Sequence, residues 1–394
     1  MSAKKDIRSL SLEELKTVFT ENGDKPFRAK QVYEWLWKKS ARTFDEMTNL
    51  SKELREKLKE HFSIHAITAY KVQKSSDGTI KSAFQLHDKH LIEGVLIPTD
   101  DRATACLSSQ VGCSLTCTFC ATGYMKRERN LNADEIYDQV VLINNQALES
   151  VGHNLTNIVF MGMGEPLLNY NNVMKAIEKI TSEDGLNISA KRITVSTAGI
   201  AKMIRKLADD HVKFNLALSL HAADDVKRNT IMPINEQNSI DALMDALAYF
   251  QQECKGEITF EYILLAGVND AIEDAKNLVA LCEKVRGVKV NVIEYNKIEN
   301  AAFHKSTVEK REKFITYLSK NNVIANVRRS RGKDIDAACG QLANKTNRWF
   351  SECFYFGRAI VIYLQHYRLI LILSTDRFGA AFLTNYKPES GPHT

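Results

Sequence analysis

The feature that most constrains this chain is an alternation that sets in after Cys120. Six β-patterned runs recur there: Asn157-Ile-Val-Phe-Met, Arg192-Ile-Thr-Val, Phe214-Asn-Leu-Ala-Leu, Ile258-Thr-Phe-Glu-Tyr-Ile, Val288-Lys-Val-Asn-Val-Ile and Val323-Ile-Ala-Asn-Val. Helical periodicity fills the gaps, for example over 133–148 and 239–253. Strands that alternate with helices build a mostly parallel sheet, because a parallel pair needs a crossover long enough to hold a helix. Six units are too few to close an eight-stranded barrel, so the expectation is an α/β fold with a partial (β/α)6 barrel. The working loops of such folds lie at the carboxyl ends of the strands, which is where a substrate site is expected.

Residues 1–65 read as a small helical domain. Ser11-Leu-Glu-Glu supplies an N-cap and early acids, a second helix runs through Ala29-Lys-Gln-Val-Tyr-Glu-Trp-Leu-Trp, and a third through Ser51-Lys-Glu-Leu-Arg-Glu-Lys-Leu. Over 66–98 the pattern changes to short β-runs around Ser76-Asp77-Gly78, a β-rich extension that leads into the barrel over 99–345. The tail over 346–394 matches no repeat unit. Its apolar run from Ala359 is about fifteen residues long and broken by Gln365, His366 and Arg368. A membrane span needs roughly 20 residues. The tail is therefore read as an appendage, and no functional residue is assigned to it.

Hydrophobic residues at 44% and charged residues at 26% describe an ordinary globular protein. The start, MSAKKDIRSL, lacks an apolar signal-peptide core, and the sparse cysteines argue against a disulfide framework, so a cytoplasmic protein is expected. The net charge of +5 says little by itself; its distribution says more. Lys25, Arg28, Lys30, Lys38, Lys39 and Arg42 cluster around a single acid, Glu34, with Phe27, Tyr33, Trp35 and Trp37 among them. Cations neutralise phosphates and rings stack on unpaired bases. The same pattern also describes a helix with core aromatics and solvated lysines.

The chemistry-bearing motif is Cys113-Ser-Leu-Thr-Cys117-Thr-Phe-Cys120, with Cys106 seven residues upstream. Three thiolates can hold a four-iron cluster and leave one iron open to a further ligand. A closed zinc site needs a fourth ligand, which Cys106 could supply. Several later motifs close strands on the same rim. Met161-Gly-Met-Gly164-Glu165-Pro166 reads either as a backbone cradle for a polar ligand or as a plain tight turn. Ser196-Thr-Ala-Gly, Ser219-Leu220-His221 and Tyr295-Asn296 could each be a cap or turn, yet together they line one rim with polar groups. Near the end, Cys339 lies among small residues in Asp334-Ile-Asp336-Ala-Ala-Cys-Gly-Gln341-Leu, either an inert buried thiol or one with room for a bulky partner.

The Cys-x3-Cys-x2-Cys triplet resembles that of the radical S-adenosylmethionine (SAM) enzymes. The whole set, in this order, resembles the dual-specificity adenine-C2 RNA methyltransferases of that superfamily. One departure is the Lys-Ile-Glu-Asn-Ala-Ala-Phe segment after Asn296, where many relatives have a proline-rich turn. The resemblance implies a TIM-type radical SAM barrel and one [4Fe-4S] cluster on Cys113, Cys117 and Cys120. It implies SAM, two molecules per turnover, bound by Gly164, Glu165, Ser196, Ser219, Leu220, His221 and Asn296. It implies that Cys339 becomes S-methylcysteine, that Glu93 accepts the proton from C2, and that Cys106 resolves the RNA adduct in a transient disulfide with Cys339. The implied substrates are 23S rRNA and tRNA, which would become 2-methyladenosine at one position. Implied partners are an electron donor such as flavodoxin or ferredoxin and a disulfide reductant, with a monomeric enzyme and no membrane. Carbon 2 of adenine lies between two nitrogens, too electron-poor to attack a methyl sulfonium, which is why radical addition is needed. Competing readings are a C8-methylating relative that confers ribosomal antibiotic resistance, and an RNA-binding iron–sulfur redox sensor.

Overall fold

A computed structural model describes residues 4–344 and, beyond them, only the backbone of four strands. Helices α1 (Leu12–Glu21), α2 (Pro26–Trp37) and α3 (Lys52–His61) open the chain. Ser11 and Glu14 form a reciprocal capping box on α1, Pro26 occupies the first turn of α2, and Ser51 caps α3. Their apolar faces meet through Leu15, Phe19, Val32, Leu36, Leu54 and Leu58, all buried. The interleaved aromatics divide. Trp37 is core, Tyr33 and Trp35 pack against the core, and Phe27 is exposed.

Ten strands form one sheet in strict sequence order. They are β1 (Thr68–Lys74), β2 (Ile80–Gln85), β3 (Leu91–Thr99), β4 (Arg102–Cys106), β5 (Asn157–Phe160), β6 (Ile193–Thr197), β7 (Asn215–Ser219), β8 (Ile258–Leu264), β9 (Lys289–Glu294) and β10 (Ile324–Arg328). From β1 to β4 the pairing is antiparallel, and from β4 to β10 it is parallel. The six strands expected after Cys120 are all present. A seventh, β4, precedes the cysteine triplet and joins the parallel half through α4 (Ala133–Val151). The remaining crossovers are α5 (Tyr170–Thr181), α6 (Ala201–Asp209), α7 (Asp225–Ile231) with α8 (Ile240–Glu253), α9 (Ile272–Lys284) and α10 (Val308–Lys320). The sheet order runs from β10 to β1, so the parallel strands make a partial, open barrel.

The two faces of this sheet differ in kind. One register row, Leu218–Phe260–Val290–Ala325, is apolar, and Leu218, Phe260 and Val290 are fully buried in the main core. The next row, Ser219–Glu261–Asn291–Asn326, is polar across four strands. Side chains alternate between faces with period two, so one face packs and the other lines a polar interior. Burial of each large apolar side chain on the packed face contributes about 1.5–3 kcal/mol. That leaves the opposite face free for chemistry.

The helical region is tied to the barrel by a buried cation. Arg8 bonds Asp138 on α4 at 2.8 Å and Asp134 at 3.1 Å, with Asp6 at 3.3 Å. Residues Met1–Ala343 form one compact unit and Asn344–Thr394 a second. In the second, β11 (Cys353–Phe356), β12 (Ala359–Leu364), β13 (Leu369–Ser374) and β14 (Ala381–Asn385) pair antiparallel in sequence order. Among the described residues no helix is long and apolar enough to cross a membrane.

Candidate active site

An open cleft of about 910 Å³ lies at the carboxyl ends of the parallel strands. Its wall contains Cys113, Cys117 and Cys120 from the loop after β4, Gly164 and Glu165 after β5, Ser196 on β6, and Ser219 with His221 at the end of β7. Cys339 lines it as well, and also lines an adjoining chamber of about 760 Å³ together with Cys106. Cys106 and Cys339, far apart in the chain, thus meet at one cavity.

The triplet suits a soft metal centre by donor type, since thiolates are the usual ligands of iron–sulfur clusters. The thiols are unbridged. Burial pushes Cys113 up to about 11, and burial, then Cys120 and Cys113, pushes Cys117 higher still. Such thiols stay protonated unaided, and a cationic cluster held there would stabilise their thiolates. Among the described residues no three or more His, Cys, Asp or Glu side chains stand close enough together to hold a metal ion as they are placed. The fit therefore rests on donor type and shared wall.

Around the triplet, the rim groups are fixed by specific bonds. Glu165 is buried, and its two carboxylate oxygens accept from Ala198 N at 2.7 Å and Leu167 N at 3.0 Å. Burial nevertheless holds its pKa above the ordinary carboxylate value. His221 sits in the left-handed region with φ 58°, and its Nδ1 accepts from Ile263 N at 3.2 Å. Burial, with Arg228 nearby, pushes its pKa down to about 3, so the ring is neutral at pH 7. Phe119 of the triplet loop stands edge-on to it at 4.7 Å. Ser196 and Ser219 hydroxyls are 3.3 Å apart.

Gly164 lies on the cleft wall, whereas three other expected site residues, Leu220, Asn296 and Glu93, lie off it. Gly164 has φ 94°, and a Cβ there would meet Gln110 Cβ at 2.5 Å. Its glycine lets the turn press on the chain's own Gln110 while Gly164 still lines the cleft. Leu220 is fully buried in the main core, and its carbonyl accepts from Arg228 Nε at 2.9 Å. Asn296 lines neither chamber; its amide donates to the Cys339 carbonyl at 3.2 Å. Glu93 also lies outside both walls. Its carboxylate accepts from Ala343 N at 2.9 Å and faces Lys81 Nζ at 3.5 Å. The β3–β4 register pairs Val95 with Cys106, so Glu93 and Cys106 share a sheet face.

Three residues escaped the sequence reading. Arg228 on α7 is fully buried and donates to the Leu220, Ser219 and Ala198 carbonyls and to Asn235. It ties the loop after β6 to the loop after β7, and burial lowers its pKa to about 10. Arg328, on the last parallel strand, lines both chambers and bonds Glu261 at 3.3 Å and Met161 Sδ at 3.2 Å. Glu261 in turn accepts from Asn291 Nδ2 at 2.7 Å. The available signal was a charge inside an apolar strand, as in Ile-Thr-Phe-Glu261-Tyr-Ile.

The loop bearing Cys339 is clamped from several sides. Asp334 accepts from Ser75 Oγ at 2.5 Å and Ser76 N at 3.1 Å, and Gly332 N donates to Asp77 at 2.9 Å. Gly332 is required there, because a Cβ would lie 2.9 Å from Thr79 Cγ2 at a φ of 64°. Ala121 N donates to the Gly340 carbonyl at 2.7 Å, and Gln341 Nε2 to Lys297 O at 3.2 Å. The β1–β2 hairpin therefore positions the loop that carries the thiol.

An open parallel barrel with a three-cysteine loop after its first parallel strand and a polar interior is the architecture of a radical SAM enzyme. Residues 107–279 match the radical SAM superfamily, and residues 5–64 match the ribosomal RNA large subunit methyltransferase N-terminal domain. The chain is 63% identical over 342 residues to the probable dual-specificity RNA methyltransferase RlmN of Cytophaga hutchinsonii, covering 87% of this chain and 93% of that one. It is 45% identical to the dual-specificity RNA methyltransferase RlmN 2 of Myxococcus xanthus, over 86% and 91% of the two chains. A crystal structure of a radical SAM methyltransferase from Sphaerobacter thermophilus superposes with a TM-score of 0.80 at 40% identity, covering 86% of this chain and 99% of that one. The chain belongs to the RlmN family of RNA methyltransferases, and its superfamily uses SAM and a [4Fe-4S] cluster.

Proposed function

We propose that this enzyme methylates carbon 2 of adenine in both 23S rRNA and tRNA, through a methyl group carried on Cys339. The observation that carries this reading is the position of Cys339 on the wall common to both chambers, with the cysteine triplet in one and Cys106 in the other. Cys113, Cys117 and Cys120 are the proposed cluster ligands. Gly164, Glu165, Ser196, Ser219, Leu220, His221 and Asn296 are the proposed SAM-binding residues, five of them on the cleft wall and Leu220 and Asn296 off it. Bound together, the cluster and SAM supply the methyl group and a radical able to abstract hydrogen, at two SAM per turnover.

The chain's own part is to hold and release the adduct. Once the Cys339 methylene carbon is bonded to C2, the radical adduct must give up one electron, returned to the redox centre that supplied it, together with the C2 proton, for which Glu93 is the proposed acceptor. Cys106 then attacks the Cys339 sulfur. A sulfur–sulfur bond forms and the sulfur–methylene bond breaks, its electron pair remaining on the carbon, which takes up a proton to become the methyl group. The Cys106–Cys339 disulfide left behind requires a reductant, and the cluster requires an electron donor such as flavodoxin or ferredoxin. A cytoplasmic monomer is the working assignment. The support for C2 over C8 is the Gly-Glu-Pro turn and the Asp-Ala-Ala-Cys spacing, together with the identity to the RlmN relatives.

Anaerobic reconstitution with iron, sulfide, SAM, a reductant and RNA fragments, followed by nucleoside mass spectrometry, tests it. The expected product is 2-methyladenosine. An 8-methyl product assigns the enzyme to the resistance-type chemistry, and no SAM cleavage at all would favour a redox sensor.

A further inference from the structure

The two chambers of the cleft differ in charge. The first contains two carboxylates, Glu165 and Glu261. The second is lined by Arg328, Arg329 and Arg331 and by no carboxylate. Arg328 leans toward the first chamber through its bond to Glu261. Arg331 makes a long 3.4 Å bond to the Asp77 carbonyl, and Arg329 is exposed, with no hydrogen bond or ion pair among the described residues. Like charges gathered without acids repel one another, and a bound polyanion relieves that repulsion.

We propose that Arg329 and Arg331, on the wall of the second chamber, grip the phosphates that flank the target adenosine once it reaches Cys339. The inference rests on the RNA methyltransferase reading of this cleft. SAM carries a sulfonium and an ammonium against one carboxylate, so its net charge is positive and matches Glu165 and Glu261. RNA brings one negative charge per nucleotide, and the planar guanidinium fork matches phosphate oxygens bidentately. Cys339 lies in the wall of a cavity, so a base must leave its stack to reach it, at a cost of a few kcal/mol. Two phosphate contacts beside the extruded nucleotide offset that cost. Arg328, in both walls, marks the boundary at which the two ligands meet over Cys339.

The test is a binding cycle on the reconstituted holoenzyme that needs no turnover. An RNA hairpin carrying the target adenosine in its loop is made with natural phosphates and again with uncharged methylphosphonates on either side of that adenosine. Arg329→Ala is expected to weaken binding of the natural hairpin about tenfold, in line with the loss of one charge-assisted bond. The methylphosphonate hairpin should bind the unaltered enzyme about tenfold less tightly, and Arg329→Ala should then cost little more. The salt slope for the natural hairpin should fall by about 0.7, the single-strand increment for one phosphate contact. Arg331→Lys keeps the charge but loses the fork, so its loss should be smaller than that of Arg331→Ala. Penalties that simply multiply, an Arg329→Ala protein that binds both hairpins like the unaltered enzyme, or an equal loss of SAM affinity would each overturn the proposal. Because the cycle reads affinity, an absence of methylated product in the unaltered enzyme would instead overturn the reaction proposed above, leaving the two failures distinct.

Discussion

The loop bearing Cys113, Cys117 and Cys120 and the loop bearing Cys339 meet at the cleft, yet they are held by different means. Bonds within the triplet loop are mostly local: Leu115 N to Cys113 Sγ at 3.4 Å, Cys117 N to Leu115 O at 2.9 Å and Cys120 N to Cys117 O at 3.2 Å. Its long-range ties are Thr118 N to the Ile231 carbonyl at 3.0 Å, with a weaker hydroxyl bond to the same oxygen, and, just past Cys120, the bonds of Ala121 and Thr122 to the Gly340 and Leu342 carbonyls. The Cys339 loop is instead tethered by Ser75, Ser76, Asp77, Lys81, Glu93, Ala121, Thr122 and Asn296, drawn from across the fold. A loop with few long-range tethers is one whose geometry a bound cluster can set. A loop with many tethers has its geometry set by the protein. The cleft thus combines a cofactor-shaped wall with a protein-shaped one.

The largest effect that could break this comparison is loss of a triplet thiol. Alanine at Cys113, Cys117 or Cys120 should abolish the brown iron–sulfur absorbance and all turnover; a triple-alanine protein that still bound four irons and methylated RNA would end the cluster assignment. Next in size are the two unligated cysteines, which should separate by step. Cys339→Ala should stop turnover with SAM still bound, and in the unaltered enzyme peptide mass spectrometry should find Cys339 about 14 mass units heavier, one added methylene. Cys106→Ala should keep its cluster and accumulate an RNA–protein crosslink that survives denaturant. Free RNA as the sole species would remove Cys106 from the resolving role.

Smaller effects sharpen the comparison. Asp334→Ala frees one side of the Cys339 loop from the hairpin, and kcat should fall about tenfold with iron content unchanged, as expected when a reacting group loses its positioning. An unchanged kcat would show that the remaining tethers suffice. Burial, then Cys339, pushes the Cys106 thiol up to about 12. Its thiolate fraction therefore rises about tenfold per pH unit below that value, so the trapped adduct in the unaltered enzyme should shrink between pH 7 and 9. A flat adduct level over that range would place another step in control. The smallest effect belongs to the helical region, where Lys38 and Lys39 are exposed. Their joint replacement by alanine should lower the salt slope of RNA binding by about one unit per lost phosphate contact. An equal slope would leave those lysines as solvated surface.

The parts of the site legible in sequence were those written in local spacing. A Cys-x3-Cys-x2-Cys triplet, a glycine-rich turn closing a strand and a cysteine among small residues are all short-range patterns. So is the strand–helix alternation, since period two and period 3.6 are properties of neighbouring residues. The six strands after Cys120 were legible, whereas β4, ahead of the triplet, reads as part of the antiparallel run before it, and only its pairing with β5 places it in the barrel. The close approach of Gly164 to Gln110 was not legible, because Gln110 lies on another segment.

By itself, then, the chain's sequence determined the class of fold, the helical start, the thiols that suit a cluster and the family to which it belongs. Only the tertiary structure decided that Cys106 and Cys339 share a cavity, that Glu93 and Asn296 bond the segment bearing Cys339, and that Arg328, Arg329 and Arg331 line one chamber without acids. The reason is physical. Secondary structure and motif spacing follow from interactions a few residues long, whereas the charge of a cavity and the meeting of two thiols depend on strand register and crossover packing, which sum weak contacts over the whole chain.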